Sequence, residues 1–318
     1  MVTVRSVLAI AAAKHWAIFQ MDVHNAFLQG DLLEDYMEVP PGFASQGGST
    51  VKVESELIVV LVYVDDLLVT GSNQRLILQT RNDLKLKFKM KDLGELKFFL
   101  GIEFARSSKG IVMSQRKYAL ELIAEMGLSG AKPAGTPLEA NSSLEAEDKL
   151  LADAGKYQRL IGRLLNLTMT RVDIAYVVQV LSQHMHKPKQ SHMEATLRVV
   201  RYIKGSPGLG LLMPSGDSGK LEGFCDSDWG GCLQTRRSVT GYLVKFGDAL
   251  ISWKSKKQET VARSSAEAEF MSTASAVAEL TWLTRLFKEL GVDVELPITL
   301  NCDSKAAIQD TLSIMGFI

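Results

Sequence analysis

Cysteine is scarce in this chain: Cys225, Cys232 and Cys302 are three among 318 residues. They form no CxxC pair and share no zinc-type spacing with histidine. This argues against a disulfide-stapled scaffold and a structural zinc module, and the odd count suits a reducing compartment. An excess of one charge is also missing. Lys+Arg and Asp+Glu both number 36, so the formal net charge is zero. Any nucleic-acid site must therefore rest on local basic patches. No apolar run approaches the ~20 residues of a membrane-spanning helix; "ELIVVLVYV" (56–64) is short and runs into two carboxylates. The N-terminal "MVTVRSVLAIAAAKHW" loosely imitates a signal peptide, but its apolar run is short and Lys14 and His15 follow it. The expectation is an amphipathic helix beginning near Thr3 in an intracellular protein, cytoplasmic or nuclear, with no membrane segment.

What is present is a 46% hydrophobic chain, long enough for two or three cores. The pattern predicts a helix over 5–19 running into a strand through "AIFQMDV" that ends at Asp22. A Pro/Gly/Ser loop follows at 39–50, and strand character returns over 57–70. "SNQRLILQTRNDLKLKF" reads as a helix, and "LKFFLGIEFARSSKGIVMSQ" as two strands around "SSKG". "RKYALELIAEMGL" reads as a helix stopped by Ser129-Gly130. A polar linker precedes a helical region over about 153–204, broken by "KGSPGLG". From Lys220 come strands, a long helix near 265–290 and a strand at 298–302.

"LVYVDDLLVT" (61–70) places Asp65 and Asp66 inside an apolar, β-branched run. Buried carboxylates need water, partners or a metal, and a hairpin tip supplies access to all three. A solvated Asp-Asp turn is the competing account. Upstream, "FQMDVHNAFLQGDL" (19–32) ends another apolar strand at Asp22, with Phe27 five residues later. Asp22 with the Asp65-Asp66 tip is a set able to hold two Mg²⁺ ions, which activate a primer 3′-hydroxyl and stabilise leaving pyrophosphate.

The stretches "QMDVHNAFLQGDL" and "LVYVDDLLVTGS" resemble the polymerase motifs of copia-type (Pseudoviridae-like) retrotransposon reverse transcriptases. The resemblance continues through "MKDLGELKFFLGIEF", "YALELIAEMGL", "GTPLE", "LIGRLLNLTMTRVDIAYVV" and "LRVVRYIKGSPGLGLL". It implies that Asp22 and Asp65 bind metal, that Asp66 completes the pair less directly, and that Phe27 is the steric gate against ribonucleotides. The chain departs from the family in the spacing, because only 43 positions separate Asp22 from Asp65. The family has several tens more residues there, including a segment like "SLYGLKQ" that helps form the nucleotide and template site. The fingers that would precede residue 1 are missing as well. Without that wall, template and nucleotide lose the orientation on which much of the rate depends.

A second carboxylate set occupies the C-terminal third. "LEGFCDSDW" ends a strand at Asp226, with Asp228 two residues on. "SSAEAEF" opens the long helix, with capping-box spacing between Ser264 and Glu267, and Glu269 in its first turns. "ITLNCDSKAAI" ends a strand at Asp303. In a mixed sheet these ends can converge and recruit Mg²⁺. The phrases "DSDWGGC", "RRSVTGYLVKFG", "ISWKSKKQETVARSSAEAEF", "WLTRLFKELG" and "CDSKAAI" are similar to the copia-type ribonuclease H. That resemblance implies that Asp226, Glu269 and Asp303 hold two metal ions that cut the RNA strand of an RNA–DNA hybrid. Asp228 and Glu267 are neighbouring acids with no direct role. The late acid that completes the family's site has no recognisable counterpart in this sequence, and nothing in the sequence supports Asp310 as its substitute.

Arg198, Arg201 and Lys204 are spaced by three in "LRVVRYIKG" and can track phosphates or simply face water. Lys254, Lys256, Lys257 and Arg237 offer the same two accounts beside the hybrid. His184, His186 and His192 read as a helix end and loop, not a metal site.

The fold expected is α+β. An incomplete reverse-transcriptase palm over 1–138, with its gap near 43–55, is followed by thumb/connection helices over 139–215. A C-terminally truncated α/β ribonuclease H-like domain with a mixed sheet covers 220–318. The partners implied are an RNA template, a DNA primer, an RNA–DNA hybrid and deoxynucleotides, with two Mg²⁺ per active site and Mn²⁺ as the substitute. Three readings stand. The chain is a working polymerase and ribonuclease H, a decayed relic or wrongly joined gene, or a protein that only binds nucleic acid. The internal gap and the abrupt C-terminus favour the second.

Overall fold

The first helix has no side that belongs in water. α1 (Val2–Ala13) buries every residue from Arg5 to Ala13 and exposes none. A helix without a polar face is a core element, so the amphipathic helix over 5–19 is corrected in both extent and character. The chain leaves α1 through His15, at a backbone φ of 56°. The computed structural model describes residues 1–23, 49–53, 56–139, 148–216, 219–232 and 235–303. Among these, no helix is long and apolar enough to cross a membrane.

Three sheets and a helical layer make a mixed α/β architecture. The first sheet joins β1 (Ile18–Val23), β2 (Ser49–Val53), β3 (Glu56–Tyr63), β4 (Asp66–Gly71) and β5 (Met90–Glu95) in the order β2-β3-β4-β1-β5, all antiparallel. α2 (Gln74–Lys87) connects β4 to β5. Its N-cap, Asn73, accepts hydrogen bonds from the Arg75 and Leu76 amides, the usual cure for orphan donors at a helix start. Met21, Ile58, Leu67, Val69 and Ile77 form the core beneath it.

The second sheet is β6 (Phe98–Phe99), β7 (Ile102–Ser107), β8 (Gly110–Ser114) and β9 (Leu211–Pro214), in that order. The "SSKG" turn falls between β7 and β8 as the pattern predicts. β8 and β9 approach so closely that a Cβ on Gly110 would lie 2.1 Å from the Met213 carbonyl oxygen. Between these strands, α3 (Arg116–Glu125), α4 (Ala154–Leu167), α5 (Ala175–Ser182) and α6 (Gln190–Gly205) enclose a core of their own around Tyr157, Leu164 and Val200. α3 ends at a left-handed Gly127, φ 68°, two residues before the Ser129-Gly130 stop the pattern suggests.

The third sheet has the order β12-β11-β10-β13, built from β10 (Leu221–Asp228), β11 (Val239–Phe246), β12 (Ala249–Lys257) and β13 (Thr299–Asn301). β13 runs parallel to β10 and the other pairs are antiparallel. α7 (Ser265–Glu289) packs on β10 and β11. β9, at the end of the segment 139–215, pairs with β8 and completes the sheet begun at Phe98.

α1 lies against β8, β9 and β12, between the second and third sheets. Arg5 fixes it there. Its Nε donates to the Ile251 carbonyl at 2.8 Å, a second nitrogen donates to the Met169 carbonyl at 3.2 Å, and the guanidinium lies 3.7 Å from the centre of the Trp253 ring. Burial lowers the Arg5 pKa to about 10, with the Glu279 carboxylate opposing the fall, so the group stays charged at neutral pH. Arg5→Met should remove the donors while keeping much of the volume, a loss of about 1–3 kcal/mol. Arg5→Ala should add a cavity cost and lose about 3–5 kcal/mol. Urea unfolding of both variants against the parent chain measures this.

Candidate active site

The β3–β4 hairpin places the first acidic pair. Tyr63 is the last β3 residue and faces Asp66, leaving Val64 and Asp65 as a two-residue turn. Val64 adopts φ 52°, a left-handed conformation that β-branched residues rarely take. Beside the hairpin, β1 sets Asp22 opposite Asp66, and the Val23 amide donates to the Asp65 carbonyl at 2.8 Å. Register alone therefore draws Asp22, Asp65 and Asp66 to one end of the sheet. Asp66 Oδ1 accepts from Gln20 Nε2 at 3.3 Å. Asp65 Oδ1 is buried without a hydrogen-bond partner, the condition that a cation relieves. The oxygens of these three acids are not gathered within 4.8 Å of one another, among the described residues. Phe27 and Asp310 lie outside the described residues.

The C-terminal sheet assembles the second set. Ser264 caps α7 by accepting from the Glu267 amide at 3.2 Å, and the Glu267 carboxylate accepts from the Arg263 amide at 2.6 Å. Glu267 is thereby held at the helix start, in keeping with a capping role. Glu269 turns inward and is only 8% exposed. Its Oε1 accepts from the Ser227 amide at 3.1 Å, while Oε2 has no partner. Ligand atoms of Glu269, Cys302 and Asp303 lie within 4.8 Å of one another. Asp226 stands outside that set, exposed, near the end of β10. Burial raises the Glu269 pKa, the Asp226 charge raises it further, the Ser227 hydrogen bond opposes this, and the Asp303 charge adds to it. The structure thus brings Glu269 and Asp303 together and leaves Asp226 adjoining. The thiol of Cys302 was not anticipated, although it directly precedes Asp303 and follows an alternating strand.

Asp226 also opens onto a cavity of about 310 Å³, lined by Tyr176, Phe224, Asp228, Trp253 and Lys254 among others. Gly241, paired with Asp226, keeps that stretch of sheet free of a side chain. Asp228 accepts a long hydrogen bond, 3.5 Å, from the Tyr176 hydroxyl. Its carboxylate fills the space beside Gly231, where a Cβ would come within 2.0 Å of Oδ2.

The predicted basic residues divide. Arg198 pairs with Glu139 at 2.5 Å and donates to Thr136 at 3.1 Å, tying α6 to the polar linker. Lys204 donates to the carbonyls of Leu128, Ser129 and Ala131. Arg201 is half-buried. Lys257 donates to Gln183 at 3.0 Å and to the Cys232 sulfur at 2.9 Å. Burial alone would raise the Cys232 pKa, but the Lys257 and Thr235 hydrogen bonds bring it down to about 7. Lys254, Lys256 and Arg237 are exposed. His184 and His192 stack with ring centres 3.8 Å apart. Burial, then the His192 and Lys257 charges, lowers the His184 pKa to about 4, and the His192 Nδ1 accepts from the Lys189 amide at the start of α6. No histidine belongs to a metal-type cluster among the described residues.

The family described as reverse transcriptase (RNA-dependent DNA polymerase) matches residues 47–140, which include Asp65 and Asp66 but not Asp22. The Pol polyprotein from transposon RE1 of Arabidopsis thaliana is 36% identical over 350 residues, covering 96% of this chain and 24% of the polyprotein. An uncharacterized mitochondrial protein of Arabidopsis thaliana is 40% identical, covering 70% of this chain and 93% of that protein. A putative transposon Ty5-1 protein of Saccharomyces cerevisiae is 33% identical, covering 70% of this chain and 74% of that protein. The chain spans about a quarter of the length of the polyprotein relatives.

The raised pKa of Glu269 gives a testable sign. Between the ordinary glutamate value and the raised one, the folded chain keeps a proton that the unfolded chain has released. Stability should therefore fall as pH rises across that window, and Glu269→Gln should flatten the dependence and raise the melting temperature at neutral pH. Thermal unfolding across pH 4–8 in chelator, parent against variant, measures both effects.

Proposed function

The chain belongs to the copia-type retrotransposon Pol family, of reverse transcriptase and ribonuclease H origin, and on that footing we propose that its C-terminal sheet cuts the RNA strand of RNA–DNA hybrids. The carrying observation is Glu269, nine-tenths buried, with one carboxylate oxygen unpartnered beside Asp303 and within the field of Asp226. A buried acid held among like charges disfavours its own ionised form, and a divalent cation reverses that. The donor set, all hard oxygen if Asp226, Glu269 and Asp303 act together, suits Mg²⁺ or Mn²⁺. When bound, such ions supply an activated water and stabilise the leaving oxygen. The chain's own part is positional. The Ser227 amide orients Glu269, the parallel β10–β13 pairing carries Asp226 and Asp303 to one sheet end, and the cavity beside Asp226 offers Tyr176 and Lys254 to a nucleic-acid strand. Exposed Lys254, Lys256 and Arg237 are the cations left to meet its phosphates.

The palm-like sheet over the first part of the chain is assigned a vestigial role. Asp22, Asp65 and Asp66 share one sheet end, and the orphan Asp65 oxygen fits a cation. Only 43 positions separate Asp22 from Asp65, a short interval in which to seat template and deoxynucleotide. The RE1 match, extending over 350 residues against a chain of 318, supports a loss within this chain relative to the polyprotein. Arg198 and Lys204 are engaged internally, which weakens the case for phosphate tracking along α6.

Purified chain should cleave an RNA–DNA hybrid in Mg²⁺ or Mn²⁺, and Asp226→Asn should lower the rate by more than the roughly 10–100-fold cost of losing an outer-shell partner of a metal. Primer extension on an RNA template should be absent. Equal cleavage by parent and Asp226→Asn would refute the nuclease assignment. Extension that disappears in Asp65→Asn would refute the vestigial assignment. Salt-sensitive hybrid binding without turnover would favour a binding protein instead.

A further inference from the structure

Cys302 is the member of the Glu269–Cys302–Asp303 cluster that hybrid cleavage does not require. Three features fix its thiol. Asn301 donates to Glu222 at 3.0 Å and to the Gly223 carbonyl at 3.2 Å, which locks β13 onto β10. Gly223 admits Leu300 and Leu280 so closely that a Cβ there would lie 2.8 Å from the first and 3.0 Å from the second. The Thr273 hydroxyl, on α7, points to the Cys302 sulfur at 3.9 Å. Cys302 is therefore a free thiol held on a rigid edge, next to an 8% exposed glutamate with an unsatisfied oxygen and to an exposed aspartate that gives access from solvent.

We propose that Glu269, Cys302 and Asp303 form a binding site for a thiophilic divalent cation of the zinc class. Mg²⁺ strongly favours oxygen ligands and keeps several waters, whereas thiolate ligands select Zn²⁺ and Cd²⁺. One sulfur and two carboxylate oxygens leave the fourth tetrahedral position to water, as in three-ligand zinc sites. Ligand atoms around one zinc stand roughly 3.3–3.7 Å apart, so atoms already within 4.8 Å need only a small inward movement. The cation displaces the Cys302 proton to solvent and forms a metal–sulfur bond, with no change in oxidation state. Binding also takes Glu269 and Asp303 away from Asp226. This consequence, and only this one, rests on the proposed cleavage site: a zinc-class ion should oppose the Mg²⁺-dependent reaction.

The test is a titration of the full chain with Cd²⁺ alone, followed by the ultraviolet thiolate-to-cadmium charge-transfer band. The band should saturate at one cadmium per chain and resist a roughly hundredfold excess of Mg²⁺. It should persist in Cys232→Ser, disappear in Cys302→Ser, and require at least about tenfold more Cd²⁺ in Asp303→Asn, an exposed change that spares the thiol. Circular dichroism checks that each variant is folded. If Cys302→Ser does not fold, the Asp303→Asn shift and the Cys232→Ser result decide. No band, a band unchanged in Cys302→Ser or Asp303→Asn, or a band lost in Cys232→Ser would overturn the proposal. A cadmium band in a chain that cleaves no hybrid would sink the nuclease assignment and leave this site standing. Mg²⁺-dependent cleavage without a band would do the reverse.

Discussion

A single buried guanidinium ties the first helix to the third sheet and to the turn after α4. Arg5 sits on a helix with no aqueous face, and its hydrogen bonds reach β12 and the turn after α4. A charge is retained inside a hydrocarbon setting because two carbonyls and the face of Trp253 replace its water. Around that anchor, α1 fills the space between two sheets that would otherwise expose apolar faces. Both carboxylate clusters belong to sheets that share this central core.

The two clusters share a physical design. In each, backbone pairing carries acids to a sheet end, and in each one buried carboxylate oxygen lacks a donor, on Asp65 in the first and Glu269 in the second. Native structures seldom leave such atoms unsatisfied. The clusters differ in how far the gathering has gone. The C-terminal set of Glu269, Cys302 and Asp303 is compact, with Asp226 adjoining it on β10, whereas the first depends on strand register alone.

Much of the element order was legible in the residues. The 3.6 and 2.0 periodicities located α2, α7, the β7–β8 hairpin and the helical region, and capping chemistry placed Ser264 and Glu267 correctly. The Asp65-Asp66 tip could be read because two charges inside a β-branched run admit few placements. The failures have physical causes. α1 was expected to be amphipathic because its apolar run is short and runs into Lys14 and His15, and only the partners 164 and 246 residues away make Arg5 a core residue. The β8–β9 pairing spans the whole helical region, so no local pattern announces it. Arg198 and Lys204 have the spacing of a phosphate track, but their partners lie far off in sequence, in the polar linker for Arg198 and just after α3 for Lys204. Cys302 was seen only as part of a motif, since its nearness to Glu269 depends on how α7 crosses the sheet.

The 246-residue interval between Arg5 and its acceptor on β12 also orders events in time. At ordinary synthesis rates the ribosome needs roughly 10–50 s to make that much chain. The four-helix core can close from nearby segments meanwhile, but α1 must wait for its last wall. α1 is thus synthesised before the walls that bury it and is among the last elements to be covered. During that interval the nascent chain carries a helix with no aqueous face in search of cover, a burden for chaperones and a point from which aggregation can begin.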